Sequence, residues 1–579
     1  MVVTVKKTDP VTLEVVSNYL VSAVREMGAT LRRTAYSTIL RESMDCSAAL
    51  FDAKGQLIAQ ADHVPSHQGS LAFAARRIAE TMTLDPEDVV ILNHPYEGGT
   101  HHPDILIFKP IFVDGILCAL SAALGHHIDV GGRSPGSISS DARDVFEEGL
   151  IIPALKLYRK GELIPEILQM ITANIRVPEK TMGDIRAEIA AVTIGESRYV
   201  ELARKYGQLE LQATIEACLD NSEQLMREDL ARLPDGSFSA TGHLDSDGIS
   251  ETPVPVTVNI TKKGSDVVVD FSGSSPQVEG PFNCSLSSVY SAVYAGVRYM
   301  VSPLIMQNEG CYRPIQVVRP EGTIVNPRRP APISGRFTTL ERIADTIVLA
   351  FNSIRGDDQV ASGVACVCSF AVDGVDNQSG RPFVCFEIFG GGWGATEKGD
   401  GLDASFGLMA NCYDTPIEAV EMEYPLRVEN YNLIADSGGA GKYRGGLGFY
   451  RNTRYLAEKG RYTNRSETSR FPPPGVLGGE AGTPSSQRLI RAGGELEPLP
   501  SKITNLTIRS GDRIEMAQPG GGGYGRARDR DPELVFSDWL DGKVNSRAVM
   551  DVYAVVIDTD SSELDLEATR KLRSSLRDG

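Results

Sequence analysis

Seven of the eight histidines in this chain fall in the short stretch from His63 to His127. The densest part reads Asn93-His94-Pro95-Tyr96-Glu97-Gly98-Gly99-Thr100-His101-His102-Pro103-Asp104. A predicted hairpin follows, and then Gly125-His126-His127-Ile128-Asp129-Val130-Gly131-Gly132. Imidazole and carboxylate are the usual ligands of catalytic Zn, Mn or Fe, so the cluster points to a divalent metal site. A strand from Asp104 to Val113, a two-residue Asp114-Gly115 turn and a return from Ile116 to Leu124 gather both histidine segments at the hairpin's open end. Strict pairing sets Asp104 opposite Gly125 and Pro103 opposite His126. That parity puts His127 on the face of Asp104, whereas a bulge near the open end would put His126 there. Geometry alone leaves the third ligand, His126 or His127, open.

The rest of the chain narrows the class. A length of 579 residues allows two to four domains. A net charge of −18 argues against nucleic acid or an anionic membrane as the main partner. No apolar run is long enough for a transmembrane helix. The opening Met1 to Lys7 leads straight into an amphipathic helix without a signal-peptide core, so cytoplasmic residence is expected. Nine dispersed cysteines without a Cys-x-x-Cys read as buried thiols.

The expected fold is mixed α/β (α+β) and multidomain. An N-terminal α/β metal-binding domain spans 1–234, a β-rich, glycine-dense region 235–525, and a helical tail 526–579. Asp9-Pro10 caps a first helix to about Arg33 with Val16, Leu20, Val24, Met27 and Leu31 as its apolar stripe. A strand at Ser47 to Phe51, a helix over 66–82 and helices over 180–232 complete the first part. Beyond Leu233-Pro234-Asp235-Gly236 come short β runs, with helical patches near 285–301 and 336–354. Past residue 388 lie glycine clusters such as Gly390 to Gly392 and Gly520 to Gly523, read as ordered turns between strands.

Asp45 is a candidate fourth metal ligand; the alternative is a carboxylate capping a strand edge. His63 and His67 are candidates to orient substrate or ligands, against the plainer reading of Ser66 as a helix cap with a surface histidine beside it. Gly441-Lys442 lacks the Ser or Thr that a nucleotide loop needs, and no His-Glu-x-x-His or Gly-x-Ser-x-Gly occurs. The chain shows no ATP site of its own.

Taken in order, several long motifs resemble the hydantoinase B family, the second subunit of ATP-dependent hydantoinases and the C-terminal part of 5-oxoprolinases. They include Asp9 to Val15, Glu42 to Ala49, Val64-Pro65-Ser66-His67-Gln68-Gly69-Ser70, Asn93 to Asp104, Gly125 to Gly132, Glu148-Gly149-Leu150, Asn174-Ile175-Arg176, Asp436 to Gly446 and Gln518 to Gly525. The resemblance implies a metal (Zn, Mn or Fe) in this subunit. It also implies a hydantoinase A-like ATPase partner that supplies ATP and Mg²⁺, in an A2B2 or larger assembly. His101, Asp104 and His126 match the metal ligands of carboxylase relatives, so the resemblance favours His126 over His127. Asp45 matches a carboxylate near the metal in lactamase-type members. His94 stands where the family more often has aspartate.

The activity expected is ring opening of a hydantoin, 5-oxoproline or lactam. Metal-bound hydroxide would attack a carbonyl that the partner has activated by phosphorylation, with His67 or Asp129 orienting or shuttling protons. The alternatives are a subunit of an ATP-dependent acetone or acetophenone carboxylase, disfavoured because such subunits tend to be longer, and a non-catalytic scaffold for the ATPase.

Overall fold

The histidine-bearing hairpin forms the centre of a seven-stranded antiparallel sheet. Its strands are β1 (Cys46–Asp52), β2 (Leu57–Gln60), β3 (Val89–Leu92), β4 (Asp104–Val113), β5 (Ile116–His126), β6 (Leu155–Arg159) and β7 (Glu162–Leu163), in the spatial order β2-β1-β5-β4-β3-β6-β7. A computed structural model describes residues 9–61, 63–558 and 560–576. Side chains alternate across a strand. Ile105, Ile107 and Ile111 of β4 pack in one core with helices Pro10–Thr34 and Pro178–Tyr206. Leu106 and Phe108 join the opposite core with helices Leu71–Thr81, Leu286–Arg298 and Arg336–Phe351. Both faces are covered, so β4 is an almost unbroken apolar run instead of an alternating one.

The hairpin turn has the expected type I′ form, with φ of 50° at Asp114 and 79° at Gly115. Its register differs from strict pairing. Val113 pairs with Ile116 and Phe112 with Leu117, but Ile111 pairs with Ala119, so Cys118 is an extra residue on β5. From there to the open end every pair is displaced by one, and Asp104 faces His126 instead of Gly125. The bulge lies at the turn end, not near the open end where the alternative register would need it, and β5 continues to His126 rather than stopping at Leu124.

Two helix boundaries also differ. The expected helix at 66 begins at Leu71, preceded by a short 3₁₀ turn at Pro65–His67. The Gln60 amide explains the delay: it donates to the His67 carbonyl (2.7 Å) and accepts from Gly69 N (3.1 Å), holding a turn where a helix would otherwise start. The stretch 180–232 is two helices, Pro178–Tyr206 and Gln208–Arg232, broken at Gly207 with φ of 83°.

A four-stranded sheet follows from Gly236 to Val318, and two further sheets of four and five strands occupy residues 368–517. The core under Ile105 and Ile107 also takes in Phe370, Phe386, Tyr462 and Met516, so residues on both sides of position 234 share one interior. The glycine clusters are extended segments packed backbone to backbone. A Cβ on Gly520, Gly521 or Gly522 would meet the carbonyl oxygens of Ser437, Trp393 and Pro474 at 1.9, 2.0 and 2.1 Å. Only glycine permits that approach. The tail has helices Pro532–Leu540, Ser546–Asp551 and Leu566–Ser575 around a small core of Val535, Val544, Val549 and Tyr553. All nine cysteines are buried free thiols, and among the described residues no helix is long and apolar enough to cross a membrane.

Phe108 is fully buried whereas Ile116, at the turn, is 63% exposed. Phe108→Ala should therefore cost about 3–5 kcal/mol and Ile116→Ala no more than about 0.5 kcal/mol. Equilibrium urea denaturation checks the pair; equal midpoints for the two variants would contradict the assignment of the faces.

Candidate metal centre

Asp104 opens β4 and His126 closes β5, and their direct pairing brings both side chains to the same end of the same sheet face. His101 arrives from the turn before β4, which the Asp104 N to His101 O hydrogen bond (3.1 Å) closes. Its Nε2 lies 3.2 Å from Asp104 Oδ1. The His101 and His126 rings are 5.1 Å apart, and His126 stacks on Phe386 at 4.8 Å. One donor atom from each of His101, Asp104 and His126 lies within 4.8 Å of the other two, and all three residues are buried.

The donor set fits a cation. His101 Nε2, Asp104 Oδ1 and His126 Nδ1 are buried without a hydrogen-bond partner among the described residues. Leaving such atoms unsatisfied costs about 1–3 kcal/mol each, and one divalent ion would satisfy the set. The His101 Nδ1, 3.3 Å from the Ser334 carbonyl, is placed to donate there, which leaves Nε2 its lone pair. Burial pushes His101 down and His126 far down, keeping both imidazoles neutral as metal binding requires. At Asp104 burial works upward, but the contact with His101 and the charge of Arg336 outweigh it and hold the carboxyl well below its usual range.

Residues not singled out in the sequence organise this set. Arg336, at the start of helix Arg336–Phe351, donates from NH2 to Asp104 Oδ2 at 2.6 Å, and Thr100 Oγ1 donates to the same oxygen. Asp104 therefore has Oδ2 occupied and Oδ1 turned to the histidines. Buried Glu148 accepts from the backbone N–H of Ile333 and of Ser334 (2.8 and 2.7 Å), fixing the carbonyl that orients His101 and the turn that delivers Arg336. Asn93 ties the histidine loop down, donating to His102 O (2.7 Å) and accepting from Ile152 N (2.6 Å). Glu148 and Asn93 stood inside motifs, which was a signal. Nothing local marks Arg336.

The other expected residues separate. His67 Nε2 is 3.9 Å from both Asp45 Oδ1 and Asp104 Oδ2, so His67 and Asp45 are at the centre, although Asp45 is not one of the three clustered donors. Asp45 also takes the His126 N–H on its carbonyl (3.0 Å). Burial, then the charge of Asp104, pushes its carboxyl up to about 8. His127 faces away and shares a 3.1 Å hydrogen bond with Glu188. Burial drives His127 down to about 3 and Glu188 well above its usual range, so both partners are neutral. Asp129 is committed to Arg176, through NH1 at 2.6 Å and the backbone N–H at 3.0 Å, and to Gly131 N. These bonds brace the loop at Gly131 and Arg176. His63 packs against the first helix at Gly28, and His94 accepts from Tyr96 N beside an open cleft of about 580 Å³.

The sequence pattern of the family described as Hydantoinase B/oxoprolinase matches residues 9–527. The chain belongs to this family. It is 37% identical to the B subunit of a putative D-/L-hydantoinase from Pseudomonas sp. (strain NS671), over 98% of each chain. It is 32% identical to the caprolactamase beta subunit of Pseudomonas jessenii, over 98% of this chain and 99% of that one. The crystal structure of the ATP-dependent caprolactamase from Pseudomonas jessenii superimposes with a TM-score of 0.91 at 30% identity, covering 98% of this chain and all of the other. An acetone carboxylase in its nucleotide-free form also gives 0.91, but at 21% identity over 98% of this chain and 83% of that one, a likeness of fold.

His101→Ala, Asp104→Ala and His126→Ala should each lose most bound metal, while His127→Ala, which only breaks the Glu188 contact, should keep it. Elemental analysis of the purified variants decides; full occupancy in His126→Ala with loss in His127→Ala would overturn the assignment.

Proposed function

We propose that this chain is the metal-holding partner of an ATPase in an ATP-dependent hydrolase that opens cyclic amides, such as a hydantoin, 5-oxoproline or a lactam. The observation that carries the reading is the set of buried, unsatisfied donors on His101, Asp104 and His126, in a chain that has no phosphate-binding loop of its own. Relatives named as one component of a hydantoinase and of a caprolactamase support an arrangement in which a hydantoinase A-like ATPase, with Mg²⁺, phosphorylates the amide carbonyl oxygen. An A2B2 or larger assembly is part of this proposal.

His101, Asp104 and His126 would hold a divalent Zn, Mn or Fe ion, with Asp45 as a fourth donor approaching from the start of β1. Such an ion supplies Lewis acidity and lowers the pKa of a bound water from 15.7 to about 7. The chain's own residues do the rest. Arg336 keeps Asp104 ionised and its Oδ1 available. His67, pushed down to about 4 by burial, is neutral at pH 7, and its Nε2 faces Asp104 and Asp45 at 3.9 Å, where it can orient a water or the substrate. Asp45 lies 3.9 Å from that nitrogen, with its carboxyl pushed up to about 8 by burial and by Asp104. None of the three donor residues is more than 5% exposed, so the donor set is shielded from bulk water. At 21% identity the acetone carboxylase likeness extends to the fold alone and lends the carboxylase reading no weight.

With its partner, the protein should hydrolyse a hydantoin, 5-oxoproline or a lactam only when ATP and Mg²⁺ are present. His67→Asn should lower kcat by about 100-fold or more with metal content unchanged. Equal hydrolysis without ATP would refute the reading, and bicarbonate-dependent ATP turnover with acetone would replace it by the carboxylase.

A further inference from the structure

Two buried arginines next to the metal centre have more donor capacity than the protein uses. Arg336 is 1% exposed, and its NH2 is bound to Asp104 Oδ2, but its Nε and NH1 have no hydrogen-bond partner among the described residues. Arg465, at the end of the strand Lys459–Arg465, is 5% exposed. Its Nε donates to Ser369 Oγ at 3.3 Å, its NH1 has no partner, and among the described residues no carboxylate lies within the 4.0 Å of an ion pair.

Other buried arginines also keep an unpartnered nitrogen, Arg342 its Nε and NH2, but each of them is set on a carboxylate, Arg342 on Asp345 at 3.2 Å, whereas Arg465 is not. Arg451 sets both terminal nitrogens on Glu387 (3.1 and 2.9 Å), and Arg530 divides its own between Asp400 and Asp538. A buried charge is normally paired because desolvation is costly. Arg465, buried without a carboxylate partner, and Arg336, with two spare nitrogens, leave uncompensated N–H groups next to the proposed metal site.

Arg336 and Arg465 converge on one place. Ser334, two residues before Arg336, accepts from His101 Nδ1 and donates to Ser139 O (3.3 Å), while the next residue, Ser140, donates to the carbonyl of Asn464, the neighbour of Arg465 (2.8 Å). Arg465 also pairs across its sheet with Ser369, two residues before Ala371, which is itself opposite Phe386, the ring stacked on His126. Each guanidinium acts electrostatically on His101, and the two act on one another. Planar guanidinium forks match the edges of a tetrahedral oxyanion.

We propose that Arg336 and Arg465 form an oxyanion site beside the metal centre that receives a phosphoryl group. Its source is either the phosphorylated substrate or the phosphate released from it. The choice of phosphoryl rests on the proposed activation by a partner ATPase, but the anion site itself does not. It gives the chain a reason to recognise an activated substrate and to reject the neutral amide.

Calorimetric titration of the full-length, metal-loaded chain with inorganic phosphate and with methyl phosphate, without ATP or partner, tests the site apart from turnover. Wild type should bind at least one of them. Arg465→Met should weaken that binding by about tenfold or more with metal content unchanged, and Arg465→Lys should restore part of it. Arg336→Met should weaken it as well; if that variant loses metal through Asp104, the Arg465 pair decides. Tighter methyl phosphate assigns the site to the substrate, and tighter inorganic phosphate assigns it to the released product. No binding by wild type, or unchanged binding by metal-replete Arg465→Met, overturns the proposal. Phosphate binding without any cyclic amide turnover would instead refute the hydrolase reading and leave the anion site standing.

Discussion

The carboxylate of Asp104 is divided between two tasks, and the organisation of the centre depends on that division. One oxygen is held by Arg336 and Thr100, and the other is left to face His101 and His126. Burying the Arg336–Asp104 pair is not an efficient source of stability, because desolvation offsets most of the attraction. Breaking it by removing one partner would cost about 3–5 kcal/mol, since the other charge would remain buried. The pair makes sense as a device that fixes which oxygen is available and keeps it ionised without help from solvent.

Holding that geometry takes elements far apart in sequence. The bulge at Cys118 displaces β5 by one residue and brings His126 opposite Asp104. Covering the Leu106 and Phe108 face with helix Arg336–Phe351 places Arg336 over the open end of the hairpin. Glu148 anchors the approach to that helix, and Phe386, from the second half of the chain, closes over His126. The centre thus lies where the two hydrophobic cores and the C-terminal sheets meet, in a shared interior shielded from water.

Much of the hairpin was legible because its determinants are local. An Asp-Gly turn, two apolar runs and histidines at both open ends specify a hairpin and a clustered set of candidate donors without tertiary information. The choice between His126 and His127 was not legible from parity, since one unpaired residue reverses it and a bulge leaves no compositional mark in Leu117-Cys118-Ala119. The helix start at Leu71 was hidden because the competing bonds come from Gln60, on a neighbouring strand. No sequence motif marks Arg336 or Arg465; only their burial and unspent donors do. Asp129, in the same histidine-rich motif, is engaged by Arg176, a partner its position in sequence did not suggest.

The central claim is that Asp104 and His126, brought face to face by the bulged hairpin, join His101 around one divalent ion. Anomalous diffraction from crystals of metal-loaded protein, collected on both sides of the metal's absorption edge, tests it most directly. The account predicts a single strong peak within about 2.0–2.2 Å of one donor atom from each of His101, Asp104 and His126, with His127 still bonded to Glu188. A peak ligated by His127, or one lying away from Asp104, would contradict it.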